Sequence, residues 1–504
     1  MSSQSVLVIG GGLAGLASAV ALAETGLEVR LLEKRPHLGG RATSYTLPDG
    51  SEVDNCQHVT LGCCTNLSDF YRRVGAEAKV RFFDRLYFAD AQGRRSTIEA
   101  GWFPPPLHLA PSFVRFGALT LSDKRAIARA MLAIVRAGGE PSDIEGLSMR
   151  DWLERVRQTT GAVKRFWQVV LVSALNEELA GMDARYGIQV FWKSFLANRA
   201  GYRLGVPCVP LAELYEGCRE GIVRRGGQVR LRCGVRAISV CDGRCTGATL
   251  EDGTEVSADA CIAAVPHDAV LDMLPEEMAA AGGPLESVRR LRTSPITGVH
   301  LWFDRQVMME PFLALLDHTT QWVFNKSLLY ARGDAVGEPG HPGQETRRSG
   351  LARRGEQYLQ LVISASHDLV PRSRQELIEL CRGELADVLP ATREAKLEKA
   401  TVIKEVHATF SPEPGVDLWR PGQEIGVRNL FLAGDWTRTG WPATMEGAVR
   451  SGYLAAEAVV AALRPGATPV RKFVQPDLPV EGLSRCWTKN SEDKRASGAD
   501  SVAR

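Results

Sequence analysis

The sequence is missing most of the features that would move it out of the ordinary globular class. No stretch approaches the ~18 consecutive apolar residues that read as a membrane-spanning helix. Met1, Ser2, Ser3 and Gln4 carry no basic charge, and the apolar run that follows is only strand length, so a secretory leader is not expected. Neither sign of charge dominates, the net charge being +2 over 504 residues. With no RNA- or DNA-reading motif either, nucleic acid is not expected as a partner. The eleven cysteines include no C-x-x-C pair and no zinc spacing, so no metal site is expected. They read as reduced thiols of a cytoplasmic protein. Hydrophobic residues at 44% and charged residues at 24% are those of a soluble chain, and the length allows two or more domains.

What the chain does have begins at once. Residues 6–16 read VLVIGGGLAGL. A β-branched apolar run over 5–9 predicts a buried parallel strand. It enters Gly10, Gly12 and Gly15, then an Ala/Leu-rich helix over 13–24 that Gly26 closes. A second strand over 28–32 ends on Glu33, with Lys34 beside it. Gly10 permits the tight turn, Gly12 lets backbone approach a pyrophosphate, and Gly15 lets helix and strand pack closely. The N–H groups around Leu13 and Ala14 offer the phosphate the positive end of the helix. Glu33 stands about 20 residues on, where a carboxylate accepts hydrogen bonds from a ribose. A lone glycine triplet would be weak, but strand, helix and acid together point to a dinucleotide.

Residues 38–42, LGGRA, follow the second strand closely. They resemble the second glycine motif of the amine oxidase and phytoene desaturase superfamily, in which glycines and arginine (here Gly40 and Arg41) meet the FAD pyrophosphate. The resemblance makes FAD the expected cofactor. It returns near the C-terminus, where NLFLAGDWT (429–437) and WPATMEGAVRSG (441–452) end a strand in Gly434-Asp435 and open a helix near Thr444 and Met445. In the superfamily that aspartate meets the ribityl or pyrophosphate part of FAD, and the helix start faces the flavin pyrimidine. The residue matching Val235 holds the adenine through its backbone.

Between these motifs, residues 54–64 read DNCQHVTLGCC. Polar residues packed beside small ones suit either a turn near a ligand or a satisfied corner of a β-meander. This form resembles one subgroup, the squalene-associated FAD-dependent desaturases or hydroxysqualene dehydroxylases of bacterial hopanoid pathways; Cys56 stands where that pattern carries glycine. The resemblance covers about residues 5–460. It implies an α/β fold: a discontinuous Rossmann-like FAD-binding domain of the amine oxidase type, with an inserted α+β substrate-binding domain. The expected partition is 1–75, 205–285 and 426–464 for FAD, 76–204 for a helical substrate part, 286–425 for a substrate sheet, and 465–504 for a flexible tail.

The middle of the chain leaves alternatives open. Residues 101–116 are aromatic and proline-broken, and 121–135 interleave Lys124, Arg125 and Arg129 with Ile127, Met131 and Leu132. That basic amphipathic helix fits either a membrane interface or a domain core. Helical patterns over 149–156, 162–174 and 186–196 carry Phe166, Trp167, Phe191, Trp192 and Phe195, as plain core or as a substrate wall. Residues 333–355 lack periodicity and read as an exposed loop.

The implied reaction is reduction of a long-chain isoprenoid alcohol, hydroxysqualene, to squalene, with hydride from reduced FAD and a proton for the leaving water. His58 is the expected proton donor and Asp54 its orienting partner. No second GxGxxG is present, so NAD(P)H would bind transiently or a separate reductase would supply electrons. Other squalene-pathway enzymes are expected partners, and the expected location is cytoplasmic, peripheral on the inner face of the plasma membrane through 101–136. The same fold run oxidatively gives a carotenoid- or phytoene-type desaturase acting on a C30–C40 chain. Amine oxidation is a weaker rival, since no lysine near the flavin can be located. A non-catalytic prenyl-lipid carrier is the rival of a different class; the intact glycines, Glu33, Arg41 and Asp435 argue against it.

Overall fold

A computed structural model of the chain describes residues 4–331, 355–466 and 471–488. Positions 333–354 of the expected exposed loop lie outside them, as do 489–504 of the expected tail.

Five parallel strands form the nucleotide sheet, in the order Gln228–Arg230, Glu28–Leu32, Ser5–Ile9, Ala260–Ala263 and Leu430–Leu432. Its members come from three distant parts of the sequence, so the sheet is discontinuous. Val6, Leu7 and Val8 have no exposed surface, as strands covered on both faces require. The helix Leu13–Ala23 is buried along its whole length against one face of the sheet. Beside it runs the helix Met445–Leu463. The two meet backbone to backbone, since a Cβ added at Gly452 would fall 2.2 Å from the carbonyl oxygen of Ala14.

A seven-stranded sheet makes the second body. Its order is Leu397–Phe410, Thr293–Phe303, Gln357–Ser364, Trp322–Asn325, Phe312–Leu315, Arg85–Ala89 and Arg95–Glu99. Every neighbouring pair is antiparallel except Phe312–Leu315 with Arg85–Ala89. The expected helical part therefore opens mainly with strands: Val80–Phe83, Arg85–Ala89 and Arg95–Glu99 precede its first α-helix. Val80–Phe83 pairs with Leu204–Pro207, far along the chain, and so leaves no local signal, whereas Arg85–Ala89 and Arg95–Glu99 form a local hairpin that the sequence reading passed over.

The helices then stack on one face of this sheet. Leu121–Arg136 opens with a capping box in which Thr120 and Asp123 satisfy each other's backbone N–H, and Met149–Arg155 repeats it with Ser148 and Asp151. Trp152 and Trp167 are buried core, packed edge to face with ring centroids 6.0 Å apart. Wider π-type turns at Val163–Trp167 and Trp192–Leu196 interrupt the helices, a feature frequent where a helix serves a site. Residues 471–488, expected as part of a flexible tail, are packed instead. Gln475 N–H donates to Asn66, Lys193 pairs with Asp477, and Leu483 N–H donates to the Pro105 carbonyl.

Candidate functional site

Two glycine motifs meet at the end of the nucleotide sheet. Gly10 has a left-handed φ of +106° and approaches Ala264, while a Cβ at Gly15 would lie 1.9 Å from the Gly10 carbonyl oxygen. Both glycines are required by the protein's own backbone. Gly12 is not: a Cβ there would meet nothing of the chain closer than Gly40 Cα at 3.9 Å. It caps the helix Leu13–Ala23 with no side-chain hydrogen bond, so no capping side chain competes for the N–H groups at Leu13 and Ala14, an arrangement that suits a pyrophosphate. Gly39 N–H donates to Gly11 O at 2.9 Å, laying Gly39 and Gly40 over this turn. Glu33 is buried and accepts from Gly11 N–H at 2.6 Å and Arg35 N–H at 2.7 Å. Lys34 is exposed. Cys233 N–H donates to the Glu33 carbonyl at 2.9 Å, which brings Val235, the buried first residue of the strand Val235–Cys241, close to Glu33.

The C-terminal motif joins the same place. Arg41 donates to Asp435 at 2.7 Å and to the Ala408 carbonyl at 2.8 Å. Gly434 N–H donates to Ser451, and Thr444 caps the helix Met445–Leu463 by accepting from Gly447 N–H. The loop between is held by Arg420, a residue the sequence reading missed. Its fully buried guanidinium donates to the carbonyls of Asp435 (3.0 Å), Trp436 (3.3 Å), Thr437 (2.5 Å) and Trp441 (2.9 Å), and pairs with Asp417. Four carbonyls turned toward one cation fix the loop's shape, and with it the aspartate that meets Arg41.

The segment 54–59 forms the wall between this cleft and the second body. Asn55 donates to the Arg41 carbonyl at 2.8 Å and to Glu405 at 2.9 Å. Cys56 packs over Gly298, where an added Cβ would lie 3.7 Å from its sulfur, so the residue departing from glycine finds its room across the sheet. The expected pairing of Asp54 with His58 is not formed. Asp54 instead accepts from Lys326 Nζ at 2.7 Å, Tyr330 O–H at 2.8 Å, Ser44 O–H at 2.8 Å and Leu211 N–H at 3.0 Å. Burial alone would raise its pKa, but the Lys326 ammonium and these donors hold it below its usual value. Lys326, with no exposed surface, also donates to Gln57 at 2.8 Å. Sequence reading did not single it out; a single cation inside the apolar stretch 322–331 was the available signal.

His58 does not have the setting of a proton donor. Its Nδ1 lies 2.9 Å from the Cys56 carbonyl, which fixes a proton there, and burial lowers its pKa, which disfavours the protonated ring. Its neighbours, not His58, line the large apolar cavity. Gln57, Val59 and Leu61 alternate into a cavity of about 690 Å³, within the ~300–1,000 Å³ of ligand clefts. Phe113, Phe166, Phe191 and Phe195 line it from the helices, and Trp322 and Phe324 from the sheet. The aromatic section is thus both core and wall. Polar atoms are few: Gln57, Arg165, Ser173 and Ser364.

The family model described as flavin containing amine oxidoreductase matches residues 13–460. The chain belongs to that family. Among its relatives, a zeta-carotene desaturase of Synechocystis is 28% identical over 475 residues, covering 90% of this chain and 97% of that protein. A 15-cis-phytoene desaturase of Solanum lycopersicum is 26% identical over 478 residues, covering 90% and 77%. An oxidoreductase structure from Methanosarcina mazei superposes with a TM-score of 0.68 at 18% identity, covering 89% of this chain and 99% of that one. A putrescine oxidase bound to putrescine superposes at 0.64 and 15%, covering 91% and 99%. These structures establish the amine oxidase FAD-binding fold. The open cradle over Gly12, the uncapped helix end and the Arg41–Asp435 pair fit such a cofactor. The relatives move the reading from hydroxysqualene dehydroxylases toward carotene desaturases.

Proposed function

We propose that this flavoprotein is a carotenoid-type desaturase acting on a C30–C40 isoprenoid chain. The observation that carries the reading is the apolar cavity whose one wall, at Gln57, adjoins the nucleotide cleft. Saturated carbons offer nothing to hydrogen-bond, so such a substrate is held by burial along phenylalanine and leucine faces. Bound FAD supplies the two-electron acceptor for the hydride that leaves one carbon, while a proton leaves its neighbour. The chain's residues hold and dry the site. Gly12, Leu13, Ala14, Gly40, Arg41 and Asp435 seat the pyrophosphate, Glu33 and Val235 the adenosine side, and Thr444 with Met445 the flavin end. Lys326 keeps Gln57 in the wall. The alignment with carotene desaturases over 90% of the chain supports this direction.

A second reading, reductive removal of a hydroxyl from hydroxysqualene, is favoured by the form of residues 54–64 and by Gln57, an amide able to bind an alcohol in an otherwise apolar wall. In that direction electrons come from NAD(P)H or a reductase. Two anaerobic mixtures separate the readings. Oxidised holoenzyme with a C30–C40 polyene precursor should bleach as a product lighter by two hydrogens forms. Squalene forming only from photoreduced enzyme and hydroxysqualene would give the protein the second activity and remove the first.

A further inference from the structure

Of the ten large hydrophobic side chains that stand exposed among the described residues, six, Trp102, Leu107, Val114, Leu121, Leu132 and Leu483, belong to the segments that line the apolar cavity or directly adjoin its lining. Trp102 is 81% exposed, Val114 67% and Leu121 63%. Three of the six, Leu107, Leu132 and Leu483, also line the apolar cavity. The patch is therefore the rim of the cavity mouth. Scattered exposed leucines need no explanation, but a contiguous set around an opening marks a docking surface.

Its charge identifies the occupant. Between 101 and 136 stand five cations, Arg115, Lys124, Arg125, Arg129 and Arg136, against one carboxylate. That carboxylate, Asp123, is buried in the helix cap. On the helix Leu121–Arg136, the exposed positions Leu121, Arg125, Ala128, Leu132 and Arg136 follow one another at intervals of three and four, so apolar and cationic side chains share one outward stripe. Trp102 stacks on Phe103 with ring centroids 3.9 Å apart, holding an indole outward, and tryptophan is the residue enriched at lipid headgroup level. The C-terminal strap closes the ring: Leu483 N–H donates to Pro105 O at 2.8 Å, and Leu483 and Trp487 reach the cavity. The strap lies beyond residue 460, where the family match ends.

We propose that this rim docks the protein onto an anionic lipid bilayer, with the cavity mouth facing the acyl chains, so that a long apolar substrate passes from lipid to cavity without crossing water. No helix of the described residues is long and apolar enough to cross a membrane; the contact is interfacial, with apolar side chains in the headgroup region and arginines on the phosphates.

Sedimentation of the flavin-loaded protein with vesicles tests the contact without reference to any reaction. Vesicles of phosphatidylcholine containing one-third phosphatidylglycerol should carry the protein down, and pure phosphatidylcholine far less. Arg125→Gln with Arg136→Gln should weaken partitioning about 25-fold, about fivefold per cation. Trp102→Ala with Leu121→Ser should weaken binding to both vesicles, and unchanged flavin absorbance verifies folding. Equal binding to neutral and anionic vesicles overturns the proposal, as does binding that survives both double variants. A concentration-dependent dimer that the Trp102/Leu121 variant dissolves, with no vesicle binding, assigns the rim to a second copy and also overturns it.

Discussion

Lys326 Nζ sits 2.7 Å from the Asp54 carboxylate, and neither side chain has any exposed surface. The pair ties the helix Lys326–Ala331 of the second body to the segment that borders the nucleotide cleft. Removing one partner leaves an uncompensated buried charge, which costs ~3–5 kcal/mol, a large share of a typical ~5–15 kcal/mol stability. Lys326→Met should therefore lower the urea midpoint strongly. Adding Asp54→Asn should recover most of the loss, because asparagine is neutral and keeps an acceptor for Leu211 N–H and Ser44. A double variant no better than Lys326→Met would mean that the ammonium's bond to Gln57, and not the charge balance, carries the cost.

The nucleotide half was legible because its signals are local. The strands Ser5–Ile9 and Glu28–Leu32 stand at the expected bounds. The first is a β-branched apolar run ended by glycine, and the second buries Val29, Leu31 and Leu32 before the charge of Glu33. Leu121–Arg136 was legible over 121–135 from its period, its Thr120 cap only from the structure. The parts that escaped depend on distant partners. Val80–Phe83 is a strand because Leu204–Pro207 lies beside it. Arg420 matters because four carbonyls 15 to 21 residues later turn toward it. Asp54 and His58 are near in sequence, as expected for a pair, yet a lysine 272 residues away takes the carboxylate.

Gly12 and Gly15 separate a glycine kept for a ligand from one kept for the fold. A Cβ at Gly15 collides with the Gly10 carbonyl, whereas one at Gly12 has 3.9 Å of clearance within the chain. Gly15→Ala should fail to accumulate as folded protein. Gly12→Ala should fold with an unchanged thermal midpoint of the flavin-free form but lose bound FAD, read from visible absorbance after gel filtration. Full flavin occupancy in Gly12→Ala would deny that the pyrophosphate approaches this backbone.

Two buried histidines should make the fold sensitive to acid. Burial pushes His300 down to about 3, and burial with the nearby Arg199 guanidinium pushes His108 down to about 4. In the unfolded chain both titrate near 6.5. As pH falls below that value the unfolded state takes up protons that the native state refuses, so stability falls by ~1.4 kcal/mol per pH unit for each histidine. The loss levels off once the native rings protonate, near 4 for His108 and 3 for His300. Neither nitrogen of His108 has a hydrogen-bond partner. His108→Leu should thus leave stability at pH 8 nearly unchanged and flatten the slope between 6.5 and 4, in urea titrations across that range.

The cavity makes a prediction about chain length. Phe166, Val169, Val170, Ser173 and Ala174 face it from one helical stretch. Ala174→Trp would place an indole in open space, so the overpacking strain of a filled core does not arise. The variant should fold and bind flavin normally, and its photoreduction should be unaffected. Turnover of a C30–C40 isoprenoid should fall at least tenfold, because the buried length that holds such a chain is shortened, at ~0.8 kcal/mol for each methylene excluded. A C15 isoprenoid with the same reacting unit should lose much less. Equal losses for long and short chains would mean that the indole disturbs the flavin environment, and no loss for either would place the substrate outside this cavity.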